Sequence, residues 1–88
     1  MEIIFLDSFN KDILKVKDKN LKVKISKIID EIENAQSLTE IRNLKKLTGY
    51  RYHYRIRVGD YRIGIYLNNN TLELVRFMNR KDIYSYFP

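Results

Sequence analysis

The chain reads as an α+β fold: an N-terminal strand, a two-helix antiparallel hairpin, then a three-strand antiparallel meander and a short C-terminal tail. Three observations predict it. Leu21, Ile25, Ile28, Ile29 and Ile32 recur at helical spacing. Two alternating runs rich in Tyr, Ile and Val flank Gly59-Asp60, the pattern of a β-hairpin. Helical and strand patterns are also segregated along the chain rather than alternating, which argues for helices covering one face of a largely antiparallel sheet.

Glu2 to Leu6 is mostly apolar and reads as a short strand, and its near-continuous apolar run predicts an interior position. Asp7 or Ser8 supplies an N-cap for a first helix over about Phe9 to Lys17, with Phe9, Ile13 and Val16 on one stripe. Asp18-Lys19-Asn20 is a polar turn short enough to make the two helices antiparallel. The second helix follows and ends over Asn34 to Gln36. Ser37 with Glu40 fits a capping box, so Leu38 to Leu47 is expected to hold a helical turn lined by Leu38, Ile41, Leu44 and Leu47. Thr48-Gly49 stops it.

A Gly in the first central position of a two-residue loop favours a type II′ turn, because Gly tolerates the positive φ required there. That loop sets the register: Val58 faces Tyr61, Arg57 faces Arg62, Ile56 faces Ile63, and Arg55 faces Gly64. Side chains alternate across a strand. Tyr52, Tyr54, Ile56 and Val58 therefore share one face with Tyr61, Ile63, Ile65 and Leu67. Arg51, His53, Arg55, Arg57, Arg62 and Tyr66 share the other, expected to be open and concave. Asn68-Asn69-Asn70 is a second turn, Thr71 to about Met78 a third strand, and Ile83 to Pro88 a helical turn or extended tail.

Like charges placed opposite each other destabilise a sheet, yet Arg57 faces Arg62 and Arg55 lies diagonal to it. Either these arginines form an anion site, most naturally for a polyphosphate backbone, or they splay into water or pair with Glu73 on the next strand. Six of the seven arginines and six of the seven tyrosines follow Tyr50, and residues 51–88 carry seven basic against three acidic side chains. Cations interleaved with aromatic rings suit a nucleic-acid surface. Residues 1–50 are nearly balanced, with ten basic and eight acidic groups, and their helix lysines read as a solvated face.

At 88 residues one domain, 1–88, is expected. There is no cysteine, hence no disulfide framework and no Cys-based metal site. The four-residue apolar run near Met1 is too short for a signal peptide or membrane span, so a soluble, cytoplasmic location with no membrane partner is expected.

Three segments carry a resemblance. They are Lys45-Lys46-Leu47-Thr48-Gly49-Tyr50, the block from Tyr54-Arg55-Ile56-Arg57-Val58-Gly59-Asp60-Tyr61-Arg62 to Tyr66, and Phe77-Met78-Asn79-Arg80-Lys81-Asp82-Ile83-Tyr84. Together they resemble the RelE/ParE superfamily, the toxin halves of bacterial toxin–antitoxin pairs, over the whole chain. For the RelE branch the resemblance implies cleavage of mRNA in the ribosomal A site by attack of a ribose 2′-OH on its own 3′ phosphate. No metal or small-molecule cofactor is needed. The partners it implies are a cognate antitoxin, the ribosome and mRNA. The catalytic residues it implies are Arg55, Arg62, Arg80 and Tyr84, with Arg62 and Arg80 holding the scissile phosphate and Tyr84 stacking on a base or moving a proton. Arg51, His53, Arg57, Tyr66 and Lys81 would bind RNA.

Two departures from the RelE pattern stand out. Arg55 and Arg57 occupy positions where lysine is common, and an arginine effectively cannot give up its proton. Asn79 stands where relatives often carry His. His53 is then either a base or a stacking residue, and Tyr84 either a site residue or part of a core cap. Two other functions fit the same fold: a ParE-like gyrase inhibitor acting by protein contact, and a non-catalytic RNA-binding relative.

Overall fold

The computed structural model describes residues 1–88. Strand β1 (Glu2–Phe5) leads into helix α1 (Asp7–Leu14) and helix α2 (Lys19–Asn34). A 3₁₀ turn (Leu38–Glu40) follows, then β2 (Leu44–Lys46), β3 (His53–Val58), β4 (Tyr61–Asn68) and β5 (Thr71–Asn79), and a last 3₁₀ turn (Ile83–Ser85). The five strands form one sheet in the order β1-β5-β4-β3-β2, antiparallel except for the parallel β1–β5 pair. No helix is long and apolar enough to cross a membrane.

Helix α2 forms where its periodicity places it, whereas α1 begins and ends earlier than the expected Phe9 to Lys17, stopping at Leu14 and leaving Val16 beyond its end. Ile25 and Ile32 of α2 and Phe9 of α1 are buried against Ile56, Val58, Ile63, Ile65, Leu72, Leu74 and Phe77 of the sheet. Ile13, Val16, Leu21, Ile28 and Ile29 pack around that cluster. Asp18 caps α2, accepting from the Asn20 N–H at 2.9 Å and the Leu21 N–H at 3.3 Å. The Ser37–Glu40 capping box is present: the Glu40 carboxylate accepts from the backbone N–H groups of Gln36 and Ser37 at 2.8 and 3.1 Å.

Other sequence expectations are corrected as well. β1 is an outer strand, paired only with β5, and Ile4 and Phe5 remain exposed. An apolar run identifies a strand but does not count its neighbours. The N-cap of α1 is Leu6 without a side-chain cap, because Ser8 is used elsewhere. The helical turn after Ser37 stops at Glu40, and Asn43 takes the left-handed region (φ 63°). Leu44–Lys46 therefore leaves as β2, which pairs antiparallel with β3.

The hairpin follows its expected register at every position. Gly59 has φ 59° and Asp60 has none of the left-handed character, as a type II′ turn requires. Val58↔Tyr61, Arg57↔Arg62, Ile56↔Ile63 and Arg55↔Gly64 are all partners. Asn69 (φ 57°) makes the next turn. A bulge interrupts β4–β5: Gly64 faces Arg76 and Ile65 faces Leu74, leaving Val75 without an opposite number.

β1 ends at Phe5, opposite Leu74, so the outer edge of β5 is bare from Val75 onward. Helix α1 closes it. Ser8 and Asp12, one helical turn apart, share a face. The Ser8 hydroxyl donates to the Val75 carbonyl. The Asp12 carboxylate accepts from the Phe77 N–H at 2.9 Å and from the Arg76 guanidinium at 2.8 and 3.0 Å. Asp12 is buried, and its hydrogen bonds to the guanidinium, reinforced by its charge, raise the pKa of Arg76.

The second face of the sheet is not open. The C-terminal segment folds across it, burying Ile83 and Phe87 outside the main core cluster. Phe87 sits directly over Gly64, where an added Cβ would lie 2.7 Å from two ring carbons. Glycine at 64 leaves the dimple that receives the ring. Tyr84 and Tyr86 point outward instead.

Two stability predictions follow from these contacts. Gly64→Ala should lower stability by about 1–3 kcal/mol through overpacking, and most of that loss should vanish in a Phe87→Ala background, checked by a urea-denaturation double-mutant cycle. Asp12→Ala should cost about 3–5 kcal/mol, because it strands a partly buried guanidinium and an edge N–H; a shift in the urea midpoint measures it.

Candidate functional site

Two cross-strand rows build the cationic face. Lys45 of β2 faces Arg55 of β3, which faces Gly64 of β4. Two residues along, Arg57 faces Arg62. Arg62 is the centre: it is only 9 % exposed, and its Nη1 donates to the carbonyls of Gly59 (2.7 Å) and Tyr61 (2.8 Å). The guanidinium thus folds back over its own hairpin turn, with neutral partners only.

Electrostatics show what surrounds it. Burial lowers the Arg62 pKa, and the charges of Arg55 and Arg57 push it down further. Tyr84 opposes the shift, and Arg80 adds to it. The two ion pairs of the chain, Arg76–Asp12 and Arg42–Glu31, lie elsewhere. Glu73 accepts from the Asn68 side-chain amide at 3.1 Å, not from any arginine of the face. The face is therefore not neutralised from within: it is a positive field with a buried guanidinium at its centre, suited to an anion.

Arg55, Arg57, Arg80 and Tyr84 all lie near enough to Arg62 for their charges to act on it. The Arg80 N–H donates to the Asp60 carbonyl at 2.8 Å, which ties the end of β5 to the hairpin loop. The Asn79 side chain accepts from the Lys81 N–H at 2.9 Å and shapes the turn that carries Arg80. Lys81 is exposed next to Arg80.

His53 and Tyr66 lie apart from this centre. They face each other four residues along the strands from the Arg57–Arg62 row, roughly 13 Å away. The His53 ring sits among Tyr50 (5.1 Å between centroids), Tyr66 (4.9 Å) and Phe87 (5.6 Å). It is a packing residue of the tail rather than a neighbour of Arg62. Arg51 is exposed before the start of β3, at the same far end.

Sequence reasoning missed β2 as a contributor. The walls of a cleft of about 490 Å³ include Lys45, Lys46, Tyr50, Arg55 and Tyr84, with Phe87 of the tail. A three-residue strand carries too little periodicity to announce itself; the sign available was Asn43 before Leu44, a residue tolerant of the left-handed conformation. No three His, Cys, Asp or Glu side chains cluster in a way that could hold a metal ion.

A two-helix layer on a five-strand sheet is the architecture of RelE-like toxins. The chain belongs to the RelE/ParE superfamily: residues 3–84 match the family of the ParE toxin of type II toxin–antitoxin systems, parDE. It is 44% identical over 89 residues to Toxin RelE3 of Methanocaldococcus jannaschii, covering all of both chains. It is also similar to the crystal structure of a RelB–RelE antitoxin–toxin complex from Methanococcus jannaschii, with TM-score 0.82 and 42% identity over 97% of this chain and 99% of that one. An archaeal RelE–RelB complex from Pyrococcus horikoshii OT3 shares the fold at TM-score 0.71 and 20% identity, over 90% and 93% of the two chains.

Arg57 supplies a test of the face. It is exposed and directly opposite Arg62. Arg57→Gln should raise stability by about 0.2–1 kcal/mol by removing a like-charge pair, read as a higher thermal midpoint at low salt, with the gain shrinking as salt screens the wild type.

Proposed function

We propose that this chain is the toxin of a toxin–antitoxin pair and acts as a metal-independent, ribosome-dependent mRNA endonuclease in the cytoplasm. The observation that supports this best is Arg62, buried without a carboxylate and ringed by Arg55, Arg57, Arg80 and Tyr84. A guanidinium held that way is arranged before any anion arrives, so little reorganisation is needed when charge develops.

In the proposed reaction the 2′-oxygen of a ribose attacks its own 3′ phosphorus. The 2′ proton leaves, a pentacoordinate phosphorane forms, and the bond to the 5′-oxygen breaks as that oxygen gains a proton. The products are a 2′,3′-cyclic phosphate and a 5′-OH end. Arg62 and Arg80 hold the non-bridging oxygens and stabilise the added negative charge. Arg55 and Arg57 position the strand through its phosphates. Tyr84, exposed beside them, stacks on a base or carries a proton. Arg51, His53, Tyr66 and Lys81 would contribute to RNA binding, His53 and Tyr66 by holding the tail.

The RelE proteins of the two archaeal complexes are bound to RelB. By analogy this chain is inhibited by a cognate antitoxin, an acidic segment suited to the cationic face. A second reading is favoured by the ParE family match and by arginine in place of lysine at 55 and 57: inhibition of DNA gyrase through protein contact.

Primer extension on mRNA from a translating extract separates these. In-frame cuts on translated message are expected, absent from free RNA and reduced about 10²–10³-fold in Arg62→Ala. Growth arrest with intact message and induced DNA-damage signalling would replace the nuclease with the gyrase reading.

A further inference from the structure

The cleft between β2 and the C-terminal turn is separate from the Arg62 centre but shares two of its walls, Arg55 and Tyr84. We infer that it is a seat for one nucleotide of an RNA strand adjacent to the phosphate at Arg62, its base stacked on Tyr50 and its phosphate held by Lys45. This rests on the RNA reading above and extends it to a base-binding subsite.

Three features carry it. The cleft is lined by Lys45, Lys46 and Arg55 with no acidic side chain among its walls. Lys45 and Arg55 are strand partners, a like-charge pair of the kind an isolated sheet disfavours and a phosphate would relieve. Its volume, about 490 Å³, falls in the range of small-ligand clefts, roughly 300–1,000 Å³.

Tyr50 is the second feature. The residue is 47 % exposed, yet its ring is held edge-on by His53 at 5.1 Å. His53 is braced in turn by Tyr66 and Phe87. An aromatic ring fixed on one side and open on another is a stacking platform, and stacking needs such a ring to be pre-positioned. The packing of the single histidine, otherwise without a role at Arg62, is then explained as the bracket for this platform.

The third is Tyr84, 54 % exposed on backbone anchored by the buried Ile83 and Phe87. It stands where the cleft meets the Arg62 centre, so a strand bound at Arg62 runs past Tyr84 into the cleft. An acidic peptide would use the lysines but has no need of two exposed phenol rings.

The test is an NMR titration of the full chain at low salt with a dinucleotide and with trinucleotides extended on the 5′ or the 3′ side. A 2′-deoxyribose at each position preceding a phosphodiester prevents cleavage. One of the two extensions should bind about tenfold tighter than the dinucleotide. The ratio of trinucleotide to dinucleotide affinity should fall to near one in Tyr50→Ala, persist in Tyr50→Phe, and fall when the added residue is abasic. Equal affinity of all three ligands, absence of trinucleotide binding, or a ratio that survives Tyr50→Ala overturns the seat. A ratio kept by the abasic ligand also overturns it, leaving a site for charge alone. Failure of the underlying RNA reading looks different: dinucleotide affinity would be indifferent to Arg62→Ala.

Discussion

Phe87 reaches the sheet only because residue 64 has no side chain. The ring of Phe87 occupies the space a Cβ would take at Gly64, and it is 2 % exposed there. Burying a ring of that size stabilises by about 1.5–3 kcal/mol, enough to hold a short tail against its conformational entropy. Much of the candidate site depends on that contact. It keeps Ile83 against the sheet, sets Tyr84 beside Arg62, closes the β2 cleft, and supports His53, which holds Tyr50.

The same segment reconciles two demands on one surface. A row of arginines across adjacent strands repels itself, and a small domain has little stability to spare. Here the cationic face is interrupted by an apolar strip, Gly64 under Phe87, so the charges border a packed patch instead of covering the sheet. The core on the helix side and the Asp12 clasp at the bare edge of β5 hold the scaffold together independently of the face. The arginines can therefore stay without carboxylate partners, as a site for an anion requires.

The departures at Arg55, Arg57 and Asn79 acquire a physical sense in this arrangement. Asn79 shapes the turn that brings Arg80 to the hairpin loop. Arg55 and Arg57 present planar guanidinium forks, so in the proposed reaction their part is electrostatic and positional. Phosphate placement and charge stabilisation are therefore the roles the proposed reaction asks of this face.

Local pattern alone determined a good deal of this protein. The apolar spacing from Leu21 to Ile32, the capping box at Ser37 and Glu40, and the Gly59-Asp60 turn with its register are all legible in the sequence. So is the meeting of Arg57 with Arg62, because each depends on residues a few positions apart. The tertiary structure alone decided that β1 lies at an edge, that Leu44–Lys46 joins the sheet, that Asp12 closes β5, and that Phe87 covers Gly64. Most of those pair residues distant in the chain, the Asp12 contacts more than sixty positions apart. Spacing along a chain records periodicity, but it holds no record of which bare edge or empty dimple a distant side chain will fill.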